Sequence, residues 1–375
     1  MLRVLLSILL LLARSAMGQP TVAPLPAVDA KAWLLLDLQS RQIIASHAAD
    51  QRLEPASLTK LMSAYIVFDA LKQKRLRLDQ RLTVSVNAWK MPGARMFLEP
   101  NTGVTVDELL HGMIVLSAND ATIALAEGLA GSEEAFVRDM NGQAKRLGLE
   151  DTRFANATGL PTAQHYSTAT DLSKLAEAVV RDFPEFLPLF SVRSYTYNGI
   201  TQTSRNWLLG RDPRVDGMKT GYTEDAGHCL IATARSQQRH LVAVVAGAAS
   251  ESARAIQSQK LLNYGFEHYQ TVRLYAAGST VAELPVWKGS ASRLKVGFER
   301  DLYVSIPRGR GDLLRATLTS QQPLLAPVSR QQPVGVLRLS FDGKPFGEYP
   351  VMALQSVGVA NIFLRIWDGL RLLWN

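Results

Sequence analysis

Two stretches rich in aliphatic and β-branched residues, each split by a polar bend, stand at opposite ends of a long helical region. They restrict the folds open to this chain more than any other feature. In the first, Trp33-Leu34-Leu35-Leu36 is followed by Asp37-Leu38-Gln39-Ser40-Arg41 and then Ile43-Ile44, a hairpin over Ala32 to His47. In the second, Cys229 to Ala234 and Leu241 to Ala248 flank Arg235-Ser236-Gln237-Gln238-Arg239. From Ser57 the pattern turns helical, with Leu58, Leu61, Met62, Tyr65, Ile66 and Leu71 on one stripe, and further helical segments follow between residues 105 and 190. Two hairpins that bracket helices imply one antiparallel sheet built from both ends of a domain with helices packed on it, an α+β fold.

At 375 residues, 47% of them hydrophobic and 20% charged, the chain is too apolar for disorder and too evenly mixed for a multi-span membrane protein. Its length suits two domains. After the helical stretch Gln257 to His268 the texture changes to short alternating runs such as Leu294-Lys295-Val296-Gly297-Phe298 and Val334 to Phe341. The expected division is therefore an α+β domain over 30–270 and a small β-rich domain over 271–354. One cysteine, Cys229, excludes an intrachain disulfide framework and reads as a small buried hydrophobe.

The amino terminus reads as an export signal over residues 1–18. Arg3 is the basic start, Leu5 to Leu12 the apolar run, and Ala16-Met17-Gly18 the small-residue cleavage site; the run is too short to span a bilayer. The Pro-rich residues 19–29 form a leader segment. The 41 Lys+Arg against 33 Asp+Glu give +8, and loss of Arg3 and Arg14 with the signal leaves +6. An exported basic protein meets anionic lipid or an envelope polymer rather than nucleic acid. In the tail, residues 355–375, Val359, Ile362, Phe363, Ile366, Trp367, Leu370, Leu373 and Trp374 recur at three- and four-residue steps, with Asn361, Arg365, Asp368 and Arg371 opposite. A helix docked on the protein's own core or a dimer seam would share that pattern. Two Trp on the apolar side, Arg on the polar side and a terminal position favour a helix lying in a membrane interface.

The six histidines fall in no metal-ligand spacing, and neither a Gly-x-Ser-x-Gly elbow nor a phosphate-cradling loop is present, so neither metal nor cofactor is expected. A different nucleophile stands at the start of the first helix: Ser57-Leu58-Thr59-Lys60. Residues three apart share a helical face, and a partly buried Lys can lose its proton near neutrality and act as base. Such a spacing arises by chance about once or twice in a chain this long. Ser292-Arg293-Leu294-Lys295 is the second copy, set in a strand pattern that points its ends to opposite faces. Ser57 is distinguished by two further motifs placed downstream of it in order. Ser117-Ala118-Asn119 offers groups to bond the two amines and a substrate amide. Lys219-Thr220-Gly221, expected on an edge strand, offers a cation, a hydroxyl and a residue without Cβ beside which an extended substrate fits.

With these three motifs the sequence resembles the penicillin-binding serine D-alanyl-D-alanine carboxypeptidases of the bacterial envelope. The resemblance extends to Pro55 through Met62, Ser117 through Ala121, Thr152 through Leu160, His165 through Ala169, Val215 through Thr223 and Tyr264-Gly265-Phe266. It implies a penicillin-binding/β-lactamase-like transpeptidase domain, a β-rich second domain and a C-terminal amphipathic helix seated on the outer face of the inner membrane, in the periplasm. It implies peptidoglycan pentapeptide stems and β-lactam antibiotics as what the protein meets, and removal of the terminal D-Ala as the reaction. Carried onto this chain, Ser57 is the nucleophile, Lys60 the acceptor of its proton, Ser117 a relay to the leaving amine and Asn119 the holder of the substrate amide. Lys219 keeps the field positive, Thr220 helps bind the terminal carboxylate beside Gly221, and the backbone N–H groups of Ser57 and Tyr222 face the oxyanion. Arg205 and Arg254 resemble family arginines near the carboxylate, although either would equally suit a surface salt bridge. Some members carry His where this chain has Tyr222.

A serine β-lactamase shares the three motifs. Class A enzymes place a Glu four residues before an Asn to activate water; here Glu150 and Asn156 are six apart. A non-catalytic wall-binding scaffold of the same fold is the remaining alternative, and the intact motifs argue against it.

Overall fold

The computed structural model describes residues 24–373. The expected signal over 1–18, residues 19–23 of the leader and Trp374 of the tail stripe lie outside the described residues.

Both hairpins form and join edge to edge. The five-stranded antiparallel sheet runs Gln42–His47, Ala32–Asp37, Arg239–Ala248, Gly227–Ser236, Val215–Thr223. The seam between the chain's two ends pairs Ala32 with Ala246 and Leu34 with Val244. All six residues of Ala32–Asp37 are buried, because alternate side chains enter two different cores. Leu34 and Leu36, with Val242 and Val244, meet the helices of residues 60–182. Trp33 and Leu35, with Val245 and Leu230, meet the helix Glu251–His268 on the opposite face. The sheet is thus the middle layer of three, with Gln42–His47 at one edge and Val215–Thr223 at the other.

The first helix differs from the expected stripe. Ser57 lies in a 3-10 turn, Ala56–Thr59, which leads into the α-helix Lys60–Lys72. Ser63, Ala64, Val67, Phe68 and Ala70 are buried together with Leu61, Met62, Tyr65 and Ile66, whereas Leu71 is only partly covered. Helices Val106–Val115, Asn119–Ala130, Glu133–Arg146 and Ala169–Asp182 surround it, so it is a core helix rather than an amphipathic one. The expected helix at Gln257 starts earlier, at Glu251, where the Ser250 hydroxyl accepts from the Ala253 N–H.

Beyond His268 the chain is β-rich. A six-stranded sheet and the two-stranded pair Tyr269–Tyr275 with Leu302–Pro307 enclose a separate core that includes Leu294, Val296, Val304, Leu337 and Val351. Arg293–Gly297 is a strand with Lys295 outward, so the second Ser-x-x-Lys copy holds no paired Ser and Lys. Asp37 joins the two units: fully buried, its carboxylate accepts from Arg239 at 3.0 Å and from the Thr271 hydroxyl at 2.6 Å. The last described helix, Ile362–Leu372, is capped by Asn361. Its Asp368 accepts from the Lys288 backbone N–H at 2.6 Å and Arg371 lies over the Trp287 ring, while its apolar side chains, Phe363 at 80% and Trp367 at 61%, face outward. No helix among the described residues is long and apolar enough to cross a membrane.

Candidate active site

A 3-10 turn has three residues per turn, so residues three apart eclipse. The turn Ala56–Thr59 therefore stacks Lys60 on Ser57, and Lys60 Nζ lies 2.9 Å from Ser57 Oγ. Two glycines let the surroundings close on this turn. Gly159, at φ +84°, packs against the Ala56 backbone, and Gly221 comes so near that a Cβ on it would lie 3.2 Å from the Ser57 nitrogen. The former brings the Thr158 carbonyl within 2.7 Å of Lys60 Nζ.

The second motif forms the elbow between helices Val106–Val115 and Asn119–Ala130. Ser117 holds a left-handed φ of +60°, uncommon outside glycine, and the Ala118 N–H donates to the Gly112 carbonyl. Asn119 donates from Nδ2 to the Pro92 carbonyl at 2.6 Å and from its backbone N–H to Ala94, which brings the loop at 92–94 to the site. The third motif lies on the edge strand Val215–Thr223. Lys219 donates from Nζ to Ser117 Oγ and to the Thr220 carbonyl, each at 2.8 Å. The two Ser–Lys pairs thus face one cleft of about 380 Å³, lined by Ser57, Ser117, Asn119, Thr220, Gly221 and Tyr222.

Burial governs the electrostatics. Lys60 and Lys219 are 1% and 3% exposed. Desolvation, reinforced by the positive charge of Arg205 and opposed by Asp120, pushes the Lys60 amine down to about 7. Lys219 is driven well below its usual range, first by desolvation and then by Lys60, Arg254 and Arg205. A neutral amine beside a serine hydroxyl is a general base, and a cluster of cations around it favours an anionic ligand.

Both arginines line the cleft. Arg254, 2% exposed, is no surface ion pair: it donates to the Gly221 carbonyl at 3.3 Å and to the Arg205 carbonyl at 3.1 Å, with Glu251 at 3.5 Å. Arg205 is exposed and, among the described residues, has no carboxylate within salt-bridge range. Tyr222, 54% exposed, packs against its register partner His228 on the neighbouring strand, the rings tilted by 30° with centres 4.4 Å apart. Sequence reasoning assigned no role to His228 or Glu251 in the cleft wall. Glu251 was legible as the first residue after the cap Ser250; His228 left no local signal. His165 is a packed residue. It accepts at Nδ1 from the Ala155 N–H, bonds Thr59 Oγ1 at 2.8 Å, and burial lowers it to about 4. Cys229, paired in register with Gly221, is buried, and burial pushes its thiol up.

This fold and cleft have known counterparts. A family model described as D-alanyl-D-alanine carboxypeptidase matches residues 19–250, and one described as penicillin-binding protein 5, C-terminal domain, matches residues 269–359. The D-alanyl-D-alanine carboxypeptidase DacC of Escherichia coli (strain K12) is 39% identical over 368 residues, 96% of this chain and 92% of the relative. The crystal structure of penicillin binding protein 5 from Haemophilus influenzae superposes with a TM-score of 0.87 at 35% identity, over 90% of this chain and 99% of that one. Penicillin-binding protein D2 from Listeria monocytogenes in its ampicillin-bound form matches with a TM-score of 0.60 at 30% identity, over 65% of this chain and all of the other. With nearly its whole length shared with such relatives and its Ser–Lys pairs gathered in one cleft, the chain belongs to the D-alanyl-D-alanine carboxypeptidase family.

Proposed function

We propose that this protein is a serine-type D-Ala-D-Ala carboxypeptidase that trims the terminal D-alanine from peptidoglycan pentapeptide stems and is acylated by penicillins. The observation that carries the reading is the 2.9 Å approach of Ser57 Oγ to the buried amine of Lys60. In its neutral form that amine takes the Ser57 proton as Oγ bonds to the carbonyl carbon of the penultimate D-Ala. The negative charge that develops on the carbonyl oxygen is held by the backbone N–H groups of Ser57 and Tyr222, a contribution of about 3–4 kcal/mol per donor. The C–N bond then breaks, a proton relayed through Ser117 goes to the leaving amine, and terminal D-Ala departs. Water hydrolyses the remaining ester and frees Ser57. Lys219 polarises Ser117, Asn119 holds the substrate amide, and the extended peptide lies along the edge strand at Gly221. Thr220, Arg205 and Arg254 receive the terminal carboxylate. A penicillin acylates Ser57 by the same attack on its lactam carbonyl.

The amphipathic helix Ile362–Leu372, with its apolar side chains outward, supports a seat in the outer face of the inner membrane, and residues 1–18 support export to the periplasm. Incubation with a labelled penicillin, peptide mapping and assay of D-Ala release from a muramyl pentapeptide test the chemistry. The expected result is a slowly released adduct on Ser57 together with D-Ala release. Rapid penicillin turnover makes the protein a β-lactamase, and neither adduct nor release leaves a wall-binding scaffold. Deletion of 357–375 is expected to move the protein from membrane to soluble fraction; an unchanged distribution refutes the anchor.

A further inference from the structure

Behind the cleft, the segment that carries Arg205 has a second face. Ser204 and Asn206 flank Arg205 and line a separate groove of about 350 Å³, whose other walls include Arg193, Thr203, Trp207 and Arg211. Two hydrogen bonds fix its walls. The Ser204 N–H donates to the Arg193 carbonyl at 2.8 Å, and buried Asn206 donates from Nδ2 to the Gly217 carbonyl at 3.1 Å, on the strand that carries Lys219. The Asn206 side chain also accepts from the Leu208 N–H, capping the 3-10 turn Trp207–Gly210, whose Leu208 and Leu209 are buried anchors. Trp207 and Arg211 are thereby presented to solvent, with the Arg211 guanidinium 5.4 Å from the Trp207 ring centre. Arg193 and Arg211 are exposed, and among the described residues neither has a carboxylate within salt-bridge range.

Two guanidiniums without a carboxylate partner, one of them over the part-exposed Trp207 indole, form a site for a ligand that carries both carboxylates and ring surfaces. We propose that this groove is a second subsite that seats a carboxylate-bearing stretch of the peptidoglycan strand beside the stem being cut. The proposal rests on the carboxypeptidase reading and specifies its substrate as the polymer rather than a free peptide. Charge complementarity favours this occupant, since stem peptides bear free carboxylates. The wall shared at Ser204–Asn206 also places the groove next to the cleft where such a strand already lies.

The test is cosedimentation of the full chain, carrying Ser57→Ala to prevent turnover, with purified insoluble peptidoglycan. Adding R193A/R211A is expected to weaken binding about tenfold, the scale of two exposed ion pairs, and the effect shrinks in high salt. R193K/R211K should retain most of the binding. In the Ser57 parent, R193A/R211A should leave the rate of D-Ala release from a soluble pentapeptide and of penicillin acylation unchanged, while release from the polymer falls. Trp207→Ala, which leaves the charges in place, should also weaken polymer binding, and serves if the double variant fails to fold. Unchanged cosedimentation in both variants overturns the proposal. So does weakened binding to phosphatidylglycerol vesicles with peptidoglycan binding intact, which would make the groove a lipid site. If the unmodified chain releases no D-Ala from the soluble peptide, the carboxypeptidase reading fails while cosedimentation still judges the groove.

Discussion

Gly159 stands so close to Ala56 that a Cβ on it would lie 1.8 Å from the Ala56 carbonyl oxygen. The contact clamps the 3-10 turn that carries Ser57. Gly131 has nearly the same φ, +82° against +84°, but faces open space. Gly131→Ala should therefore cost only the left-handed backbone penalty, about 1–2 kcal/mol. Gly159→Ala must also displace the turn, so it should lower the melting temperature further and slow penicillin acylation at least about tenfold. Equal melting temperatures and parent-like acylation in both variants would show that this contact does not position the nucleophile.

If Lys60, with its amine near 7, takes the Ser57 proton as proposed, the acylation rate should climb about tenfold per pH unit below 7 and level off above it. Arg205 lowers this amine by its positive charge. Arg205→Ala should thus move the inflection upward, by a fraction of a unit because that side chain is exposed. Lys60→Arg, which cannot deprotonate, should cut acylation by about 10²–10⁴. Stopped-flow acylation across pH 5–9 reads all three.

His165 predicts acid sensitivity of the fold. Its folded form resists protonation down to about 4, whereas an unfolded His protonates near 6.5. Between those values the unfolded state binds the extra proton. The contribution is thus fully present above 6.5 and is lost as pH falls toward 4, by at most about 3 kcal/mol. Protonation of Nδ1 would break the bond from Ala155. His165→Gln should flatten unfolding free energy against pH in that window, measured by urea titration; a slope equal to the parent's would exclude His165 as its source.

At the joint between the two units, Asp37 depends on Arg239. The carboxylate is fully buried and the guanidinium nearly so. Arg239→Ala strands a buried charge and should cost about 3–5 kcal/mol, whereas Arg239→Met with Asp37→Leu should recover part of that loss. Thermal unfolding of the two variants decides it; a loss under about 1 kcal/mol for Arg239→Ala would mean water reaches Asp37.

The terminal helix offers a surface prediction. Phe363 and Trp367 project into solvent, and burying a large apolar side chain yields about 1.5–3 kcal/mol. Phe363→Ser with Trp367→Ser should weaken flotation with anionic vesicles by at least about tenfold and leave penicillin acylation untouched. Parent-like flotation would exclude this helix face as a membrane-binding surface.

Several of these features are visible in local sequence. The hairpins at residues 32–47 and 229–248 carry their own strand and bend residues, the Ile362–Leu372 stripe has its 3.6 period, and Ser57 and Lys60 need only one turn of helix to meet. Where the pattern misled, burial was the cause: the helix Lys60–Lys72 is enclosed on all sides, so its apolar residues exceed any single stripe. The start of the helix at Glu251 is not marked by apolar periodicity; its signal is the cap residue Ser250.

Residue order along the chain, then, carries the local elements and the succession of three motifs that identify the chemistry. Which hydroxyl Lys219 serves is settled by packing alone. Lys219 reaches Ser117 across 102 residues because the edge strand packs beside the helical elbow, a pairing that no spacing encodes. Packing also buries both amines among positive neighbours and sets Arg254 to brace Gly221 rather than to sit at the surface. Proton affinity and placement depend on surroundings assembled from distant segments, and those exist only once the sheet has joined the two ends of the domain.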